Sequence, residues 1–315
     1  MTAPRIAIVG GRTSHQGTGP WLARFFARHG ARITGVLGTR EQTAVDAAQD
    51  LARRFGIDCR GYAEWSTFLG ETRPDLLVIA SPAHTHREYL ERALEAGVPV
   101  FCEKPFIWDD DRDNVVDAAR LIDGFKTARL ALVINNQWPE SLSEFRKLYP
   151  ACNLEQLQSF EMELSPASTG RNMIIDAMPH AWSMLTTLAG AGQLEDLTVS
   201  FTGPKRCAIT GDYAHTHGSS SLRITLVNHP QQPRPFAYAI NGCRVERLID
   251  SKDYTFKFKT ENGVFPIADP METRVRKALA YLAVEPYGVD SYNDDIVRIN
   301  LDMELLAKTM EASRI

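Results

Sequence analysis

The chain has 315 residues, 44 % hydrophobic and 23 % charged, with 35 basic against 39 acidic side chains and a formal charge of -4. That length favours two domains, and the composition is that of an ordinary globular protein, which excludes the disordered and fibrous classes. No basic cluster interleaved with aromatics is present to track a phosphate backbone, and no run nears the ~18 apolar residues of a membrane span, so neither nucleic acid nor a membrane is expected as partner.

From residue 5 to about 135, short apolar runs alternate with helical patterns. "RIAIVG" leads into "PWLARFFARHG", where Pro20 suits the first helical position, Trp21, Leu22, Phe25 and Phe26 make an apolar stripe, and Gly30 closes the end. "RITGVLG", "DLLVIAS", "VPVFCEK" and "LALVINN" follow as strands, each running on into a helical pattern, and runs such as "LLVIA" are apolar on both faces, as buried parallel strands are. The acidic run "DDDRD" at 109 to 113 reads as a helix start whose carboxylates suit the dipole. Beyond about residue 150 the rhythm changes to one strong helix, "NMIIDAMPHAWSMLTTLAG", then strand segments such as "LEDLTVSFTG", "SSSLRITLVNH", "RPFAYAING", "RVERLID" and "DYTFKFKT", and a closing amphipathic helix in "SYNDDIVRINLDMELLAKTMEA". The expected fold is α/β: a doubly wound parallel sheet of Rossmann type over residues 1–137, and an α+β domain on an open, mainly antiparallel sheet over 138–315.

The first strand opens onto a glycine-rich loop, "GGRTSHQGTG", but the spacing departs from Gly-x-Gly-x-x-Gly, since Arg12 and His15 stand where the second and third glycines belong. Backbone amides at a helix N-terminus bind anions without a fixed glycine pattern, so the loop reads as an altered phosphate cradle, with Gly10, Gly11, Gly17 and Gly19 leaving room and Arg12, Thr13 and Ser14 adding contacts. At the end of the second strand, Gly38, Thr39 and Arg40 offer no carboxylate for a ribose 2′-hydroxyl. Arg40 can clamp a 2′-phosphate with help from Thr39, which favours NADP over NAD; alternatively Arg40 is a solvated residue at a helix start.

Residues 75 to 105, "DLLVIASPAHTHREYLERALEAGVPVFCEKP", are the most specific stretch: a buried strand, a Ser81-Pro82 exit, His86 four residues beyond the proline, a second buried strand, then Glu103-Lys104-Pro105. Lys104 leaves the sheet at the carboxyl end of a strand, where ligands gather, and an ammonium there can polarise a substrate oxygen. In isolation it is equally a surface lysine beside a proline turn. The stretch resembles the glucose-fructose oxidoreductase, inositol dehydrogenase and rhizopine-catabolism family, Gfo/Idh/MocA. The resemblance implies a dehydrogenase or reductase that binds NAD(P) and transfers a hydride to or from a hydroxyl or carbonyl carbon of a sugar, cyclitol or related small molecule. It also implies that Ser81, Pro82, His86, Glu103 and Lys104 line the cofactor site, with Lys104 also catalytic.

In "IIDAMPHAW", Asp176 and His180 lie at i and i+4, on one face of a helix, so the carboxylate can orient the imidazole. The family carries this Asp-x-x-x-His pattern and its histidine is assigned as the acid/base on the substrate hydroxyl, which implies that role for His180 and a supporting one for Asp176. One turn later many members have an aspartate and this chain has Met184. Asn135, Asn136 and Trp138 are expected either to line the substrate cleft or to be turn residues, and Arg171 is a candidate contact for an anionic substrate group. The two His-Thr-His triplets lack a third ligand, and no metal is expected.

Five isolated cysteines, without any Cys-x-x-Cys pair, and an N-terminus that runs straight into a strand without signal-peptide features make the cytoplasm the expected location. A homodimer or homotetramer through the open sheet is expected by analogy. A dinucleotide-sensing protein without turnover, and an imine or tetrapyrrole reductase of the same family, are the alternative functions.

Overall fold

The structure, a computed structural model, describes residues 2–11, 17–250, 255–283 and 289–314. It divides into two compact units, residues 1–135 with 271–297, and residues 136–270 with 298–315.

The first unit runs β1 (Arg5–Val9), α1 (Gly19–Arg28), β2 (Arg32–Leu37), α2 (Glu41–Phe55), β3 (Arg60–Tyr62), α3 (Trp65–Thr72), β4 (Leu76–Ile79), α4 (His86–Glu95), β5 (Val100–Cys102), α5 (Asn114–Thr127) and β6 (Leu132–Ile134). The six strands form one parallel sheet in the order β3-β2-β1-β4-β5-β6, with the reversal of strand order between β1 and β4. That is the order of a dinucleotide-binding sheet, and its switch point is where such folds take ligands. The central strands are apolar throughout because both faces are covered: every residue of β4, β5 and β6 is buried. Helix α1 lays Leu22, Ala23, Phe25 and Phe26 on the sheet, Phe26 meeting Phe101 of β5 edge-on at 5.5 Å. A fully buried Phe of this kind contributes about 1.5–3 kcal/mol. Asp113 caps α5, its carboxylate accepting from the amides of Val115 and Val116.

The second unit contains α6 (Leu142–Leu148), β7 (Ser159–Leu164), α7 (Asn172–Ala189), and β8 (Gly192–Phe201), β9 (Arg206–His215), β10 (Gly218–Val227), β11 (Phe236–Ile240), β12 (Cys243–Ile249), β13 (Phe256–Thr260) and β14 (Gly263–Ile267). The chain ends in α8 (Pro270–Leu282) and α9 (Val289–Ala312). The eight strands are ordered β14-β13-β12-β11-β7-β10-β9-β8 and are antiparallel except for the central pair β7 and β10. Alternation sorts the faces: Phe160, Met162, Leu164, Ile224, Tyr238 and Phe258 are buried, and α7 covers part of that side. On the opposite face Glu163 pairs with Arg244 at 3.0 Å and Glu246 with Lys259 at 3.5 Å.

The partition differs from the one expected from sequence in two respects: the first break falls after Asn135 and not after residue 137, and a later segment returns to the first unit. Residues 271–297, which a division at 137/138 assigns to the second domain, belong with the first unit. Arg274 donates from Nε to the Ile134 carbonyl at the end of β6, and Glu272 pairs with Arg28 and His29 at the end of α1. Among the described residues no helix is long and apolar enough to cross a membrane.

Candidate active site

In the first unit the site is built where β1 turns into α1. Gly10 has φ +89°, and a Cβ placed there would lie 2.6 Å from both the Ala80 carbonyl oxygen and the Ser81 amide nitrogen. A Cβ on Gly11 would lie 2.5 Å from Val36 Cγ1, and one on Gly19 only 2.3 Å from the Gly10 carbonyl oxygen. The third glycine of the usual fingerprint exists to let the helix pack close, and Gly19 does this nine residues beyond Gly10. A Gly-x-Gly-x-x-Gly search misses it because the intervening loop is longer. Glycines at these three positions, which bring the end of β1 against the first turn of α1, fit the pyrophosphate of a dinucleotide. Arg12, Thr13 and Ser14, the other expected cradle residues, lie outside the described residues.

Arg40 caps α2 at the carboxyl end of β2, exposed together with Thr39, and its carbonyl accepts from Thr43 Oγ1 at 2.8 Å. At the end of β4, Ser81 Oγ lies 2.6 Å from Thr85 Oγ1; because Thr85 donates its proton to the Pro82 carbonyl at 2.8 Å, Ser81 is the donor of the pair. Pro82 is exposed beside it.

His86 is 1 % exposed and sits between two carbonyl oxygens, Nδ1 at 2.9 Å from Pro105 and Nε2 at 2.8 Å from Ser81. It therefore ties the Ser81 exit to the Lys104-Pro105 turn. Burial pushes its pKa below the ordinary histidine value, against the opposing pull of the two carbonyls and of the Glu103 carboxylate. A neutral imidazole donates through one nitrogen only, so protonation satisfies both carbonyls at the cost of a buried charge.

Lys104 stands two residues past the end of β5 and is half-buried, at the carboxyl edge of the sheet. Its neighbour Glu103 is 7 % exposed; its amide donates to the Ile79 carbonyl at 2.8 Å, and its Oε1 accepts from Asn135 Nδ2 at 2.6 Å. Asn135 Oδ1 is buried with no donor among the described residues, which costs about 1–3 kcal/mol if nothing is supplied from outside the chain.

In the second unit α7 carries Asp176 and His180 at i and i+4, both half-buried. Asp176 Oδ2 accepts from Ser168 Oγ at 3.3 Å. Pro179, inside the helix, removes the amide that would bond the Ile175 carbonyl. Trp138 is 2 % exposed, stacked on Phe236 at 3.7 Å and set edge-to-face with His180 at 6.5 Å, so it walls the imidazole and is itself largely covered. Arg247 lies 5.4 Å from the Trp138 ring and 5.3 Å from Phe236, alongside the stack. Asn136 donates to Asp302 Oδ2 at 2.9 Å, and Thr186 holds Asp302 Oδ1 at 3.0 Å. Arg171, expected to meet a substrate anion, is otherwise engaged: Nε donates to Ser313 Oγ at 3.0 Å and Nη2 to the Met310 carbonyl at 3.2 Å, at the carboxyl end of α9, where a cation suits the dipole. Phe236 and Arg247, which flank Trp138, and Asp302, which binds Asn136, escaped the sequence reading because nothing in their local spacing ties them to those residues. Among the described residues no three His, Cys, Asp or Glu side chains gather as a metal site.

Residues 4–135 match the family described as "Oxidoreductase family, NAD-binding Rossmann fold". The chain is 28 % identical over 180 residues to a UDP-N-acetylglucosamine 3-dehydrogenase from Acidithiobacillus ferrooxidans, covering 54 % of this chain and 52 % of that protein. It is 32 % identical over 94 residues to an inositol 2-dehydrogenase from Azotobacter vinelandii, covering 30 % and 27 %. The matched stretches thus span about a quarter to a half of these curated relatives. The solved structure of a myo-inositol dehydrogenase from Corynebacterium glutamicum superposes with a TM-score of 0.69 at 16 % identity, over 100 % of this chain and 97 % of that one, a likeness of fold.

Proposed function

We propose that the chain is a nicotinamide-dependent dehydrogenase or reductase of the Gfo/Idh/MocA type, acting on a sugar, cyclitol or related polyol, because residues 4–135 match the oxidoreductase family with an NAD-binding Rossmann fold. The observation that carries the reading is the cradle of Gly10, Gly11 and Gly19, three positions where any Cβ would collide with the chain, at the switch point of the sheet. A nicotinamide dinucleotide, when bound, supplies or accepts the hydride. The chain's own residues do the rest. Lys104 directs its ammonium to a substrate oxygen and stabilises negative charge developing on it. His180, walled by Trp138, takes the carbinol proton in oxidation and returns one in reduction, and Asp176 on the same helix face favours the charged imidazole. Curated relatives that act on inositol and on UDP-N-acetylglucosamine support a polyhydroxylated substrate.

Arg40, exposed where β2 meets α2, supports NADP over NAD. The uncovered sheet face of the second unit is read as a self-association surface.

Titrating the cofactor-stripped protein with NADPH and NADH at one salt concentration, followed by tryptophan quenching, tests the reading. Tight binding with preference for NADPH is expected; binding of neither overturns it. His180→Ala is expected to lower kcat about 10²- to 10⁴-fold while the dissociation constant for NADPH changes less than about threefold.

A further inference from the structure

Asn135 follows β6 directly, its amide donating to the Cys102 carbonyl at 2.8 Å, beside Glu103 and Lys104, which follow the neighbouring strand β5. Its side chain is asymmetric in what it has to give. Nδ2 is fixed on Glu103 Oε1 at 2.6 Å, and because an ionised carboxylate only accepts, the amide cannot turn over without setting oxygen against oxygen. The consequence is that Oδ1 faces away from Glu103, in an environment closed to solvent, with no donor among the described residues. Asn135 is 2 % exposed and Glu103 7 %, so the pair is built into the sheet edge and is not a surface contact. The adjacent Asn136 is built alike, its Nδ2 on Asp302 and its Oδ1 buried with no donor among the described residues, but it belongs to the second unit, whereas Asn135 belongs to the unit of the parallel sheet and follows β6 directly at its carboxyl end.

That edge is where an open α/β sheet places the reactive end of its ligand. An acceptor there needs a neutral N–H or O–H donor, and the carboxamide of a nicotinamide offers two N–H groups in the plane of its ring substituent. We propose that Asn135 is the acceptor for the nicotinamide carboxamide, with Glu103 as the positioning residue that fixes which end of the Asn135 amide is presented. The inference rests on the dinucleotide reading above and deepens it. Holding the carboxamide sets the rotation of the pyridine ring and hence which face offers its hydride.

The test compares binding of oxidised dinucleotide with its 3-acetylpyridine analogue, in which a methyl group replaces the carboxamide NH₂, by quenching or heat and without substrate. The native protein is expected to prefer the carboxamide form about tenfold, the worth of one buried hydrogen bond. Asn135→Leu is expected to reduce that preference to about twofold or less. Glu103→Gln keeps the volume but lets the Asn135 amide turn over, and is expected to weaken the preference part of the way; it carries the test should the leucine variant not fold. Preference retained in full by both variants overturns the inference, as does equal binding of the two dinucleotides by the native protein, for then a water or a substrate hydroxyl is what meets Oδ1. Failure of the native protein to bind either dinucleotide is the separate result that removes the dehydrogenase reading itself, and this inference with it.

Discussion

His86 gives the site a built-in pH dependence whose sign follows from its environment. Burial lowers its pKa, so below the ordinary histidine value near 6.5 the unfolded chain takes up a proton that the folded chain resists. The stability present above about pH 6.5 is therefore lost as pH falls towards the lowered folded value. Thermal unfolding at pH 7.5 and 5.5 is expected to show a larger drop in Tm for the native protein than for His86→Gln, and equal drops would show that His86 is not the responsible group. The role proposed for Arg40 bears on a different quantity. Arg40→Ser is expected to reduce the NADPH-to-NADH affinity ratio about tenfold or more, chiefly by weakening NADPH, in paired titrations. Lys104, Asp176 and His180 were singled out through the family resemblance that Glu-Lys-Pro and Asp-x-x-x-His carry; spacing by itself put only Asp176 and His180 on one helix face. Arg171 and Trp138 were legible only as polar or aromatic residues near the site. What they touch, the end of α9 and the Phe236 ring, is fixed by contacts more than 90 residues away in sequence, which no local pattern carries.

At the scale of elements the parallel strands and their helices read easily, since continuous apolar runs separated by amphipathic stretches have one physical solution. Others did not read. β3 is three residues long with an exposed Arg60, and β9 is interrupted by Gly211 and Asp212, which disguise its alternation. α8 carries Met271, Val275 and Ala278 buried at helical spacing, a signal present in the sequence but overlooked among the strands around it. The parallel pairing of β7 with β10 in a sheet of hairpins also has no local signature, because it joins strands that α7, β8 and β9 separate. Two substitutions test this level. Gly19→Ala is expected to lower stability by about 1–3 kcal/mol and to weaken dinucleotide binding, since its Cβ would press on the Gly10 carbonyl oxygen and force α1 away from the cradle. Asp113→Ala is expected to cost about 1 kcal/mol, measured by chemical denaturation, with dinucleotide affinity unchanged, because it removes only the cap of α5.

For the whole molecule, the polar outer face of the eight-stranded sheet makes a further prediction. Its ladder of Glu161, Glu163, Arg223, Arg244, Glu246 and Lys259 is mixed in sign, so a second copy laid against it has both charges to match. Sedimentation is expected to show a dimer or tetramer that Arg223→Glu weakens, and a native monomer at micromolar concentration would remove the self-association reading. The order of the chain has a consequence of another kind. The nucleotide-binding sheet is complete at Ile134, yet Arg274 and Glu272, which bond the end of β6 and the end of α1, are made some 140 residues later. At about 5–20 residues per second, a ribosome builds the sheet and then leaves it for roughly 7–30 s without its last helix. A nascent chain stopped near residue 140 should therefore be open to protease at the Ile134 edge and become resistant only when α8 has emerged. The first domain to be made is in this sense not the first to be finished, and a gene cut after residue 135 would encode a sheet without the helix that closes it.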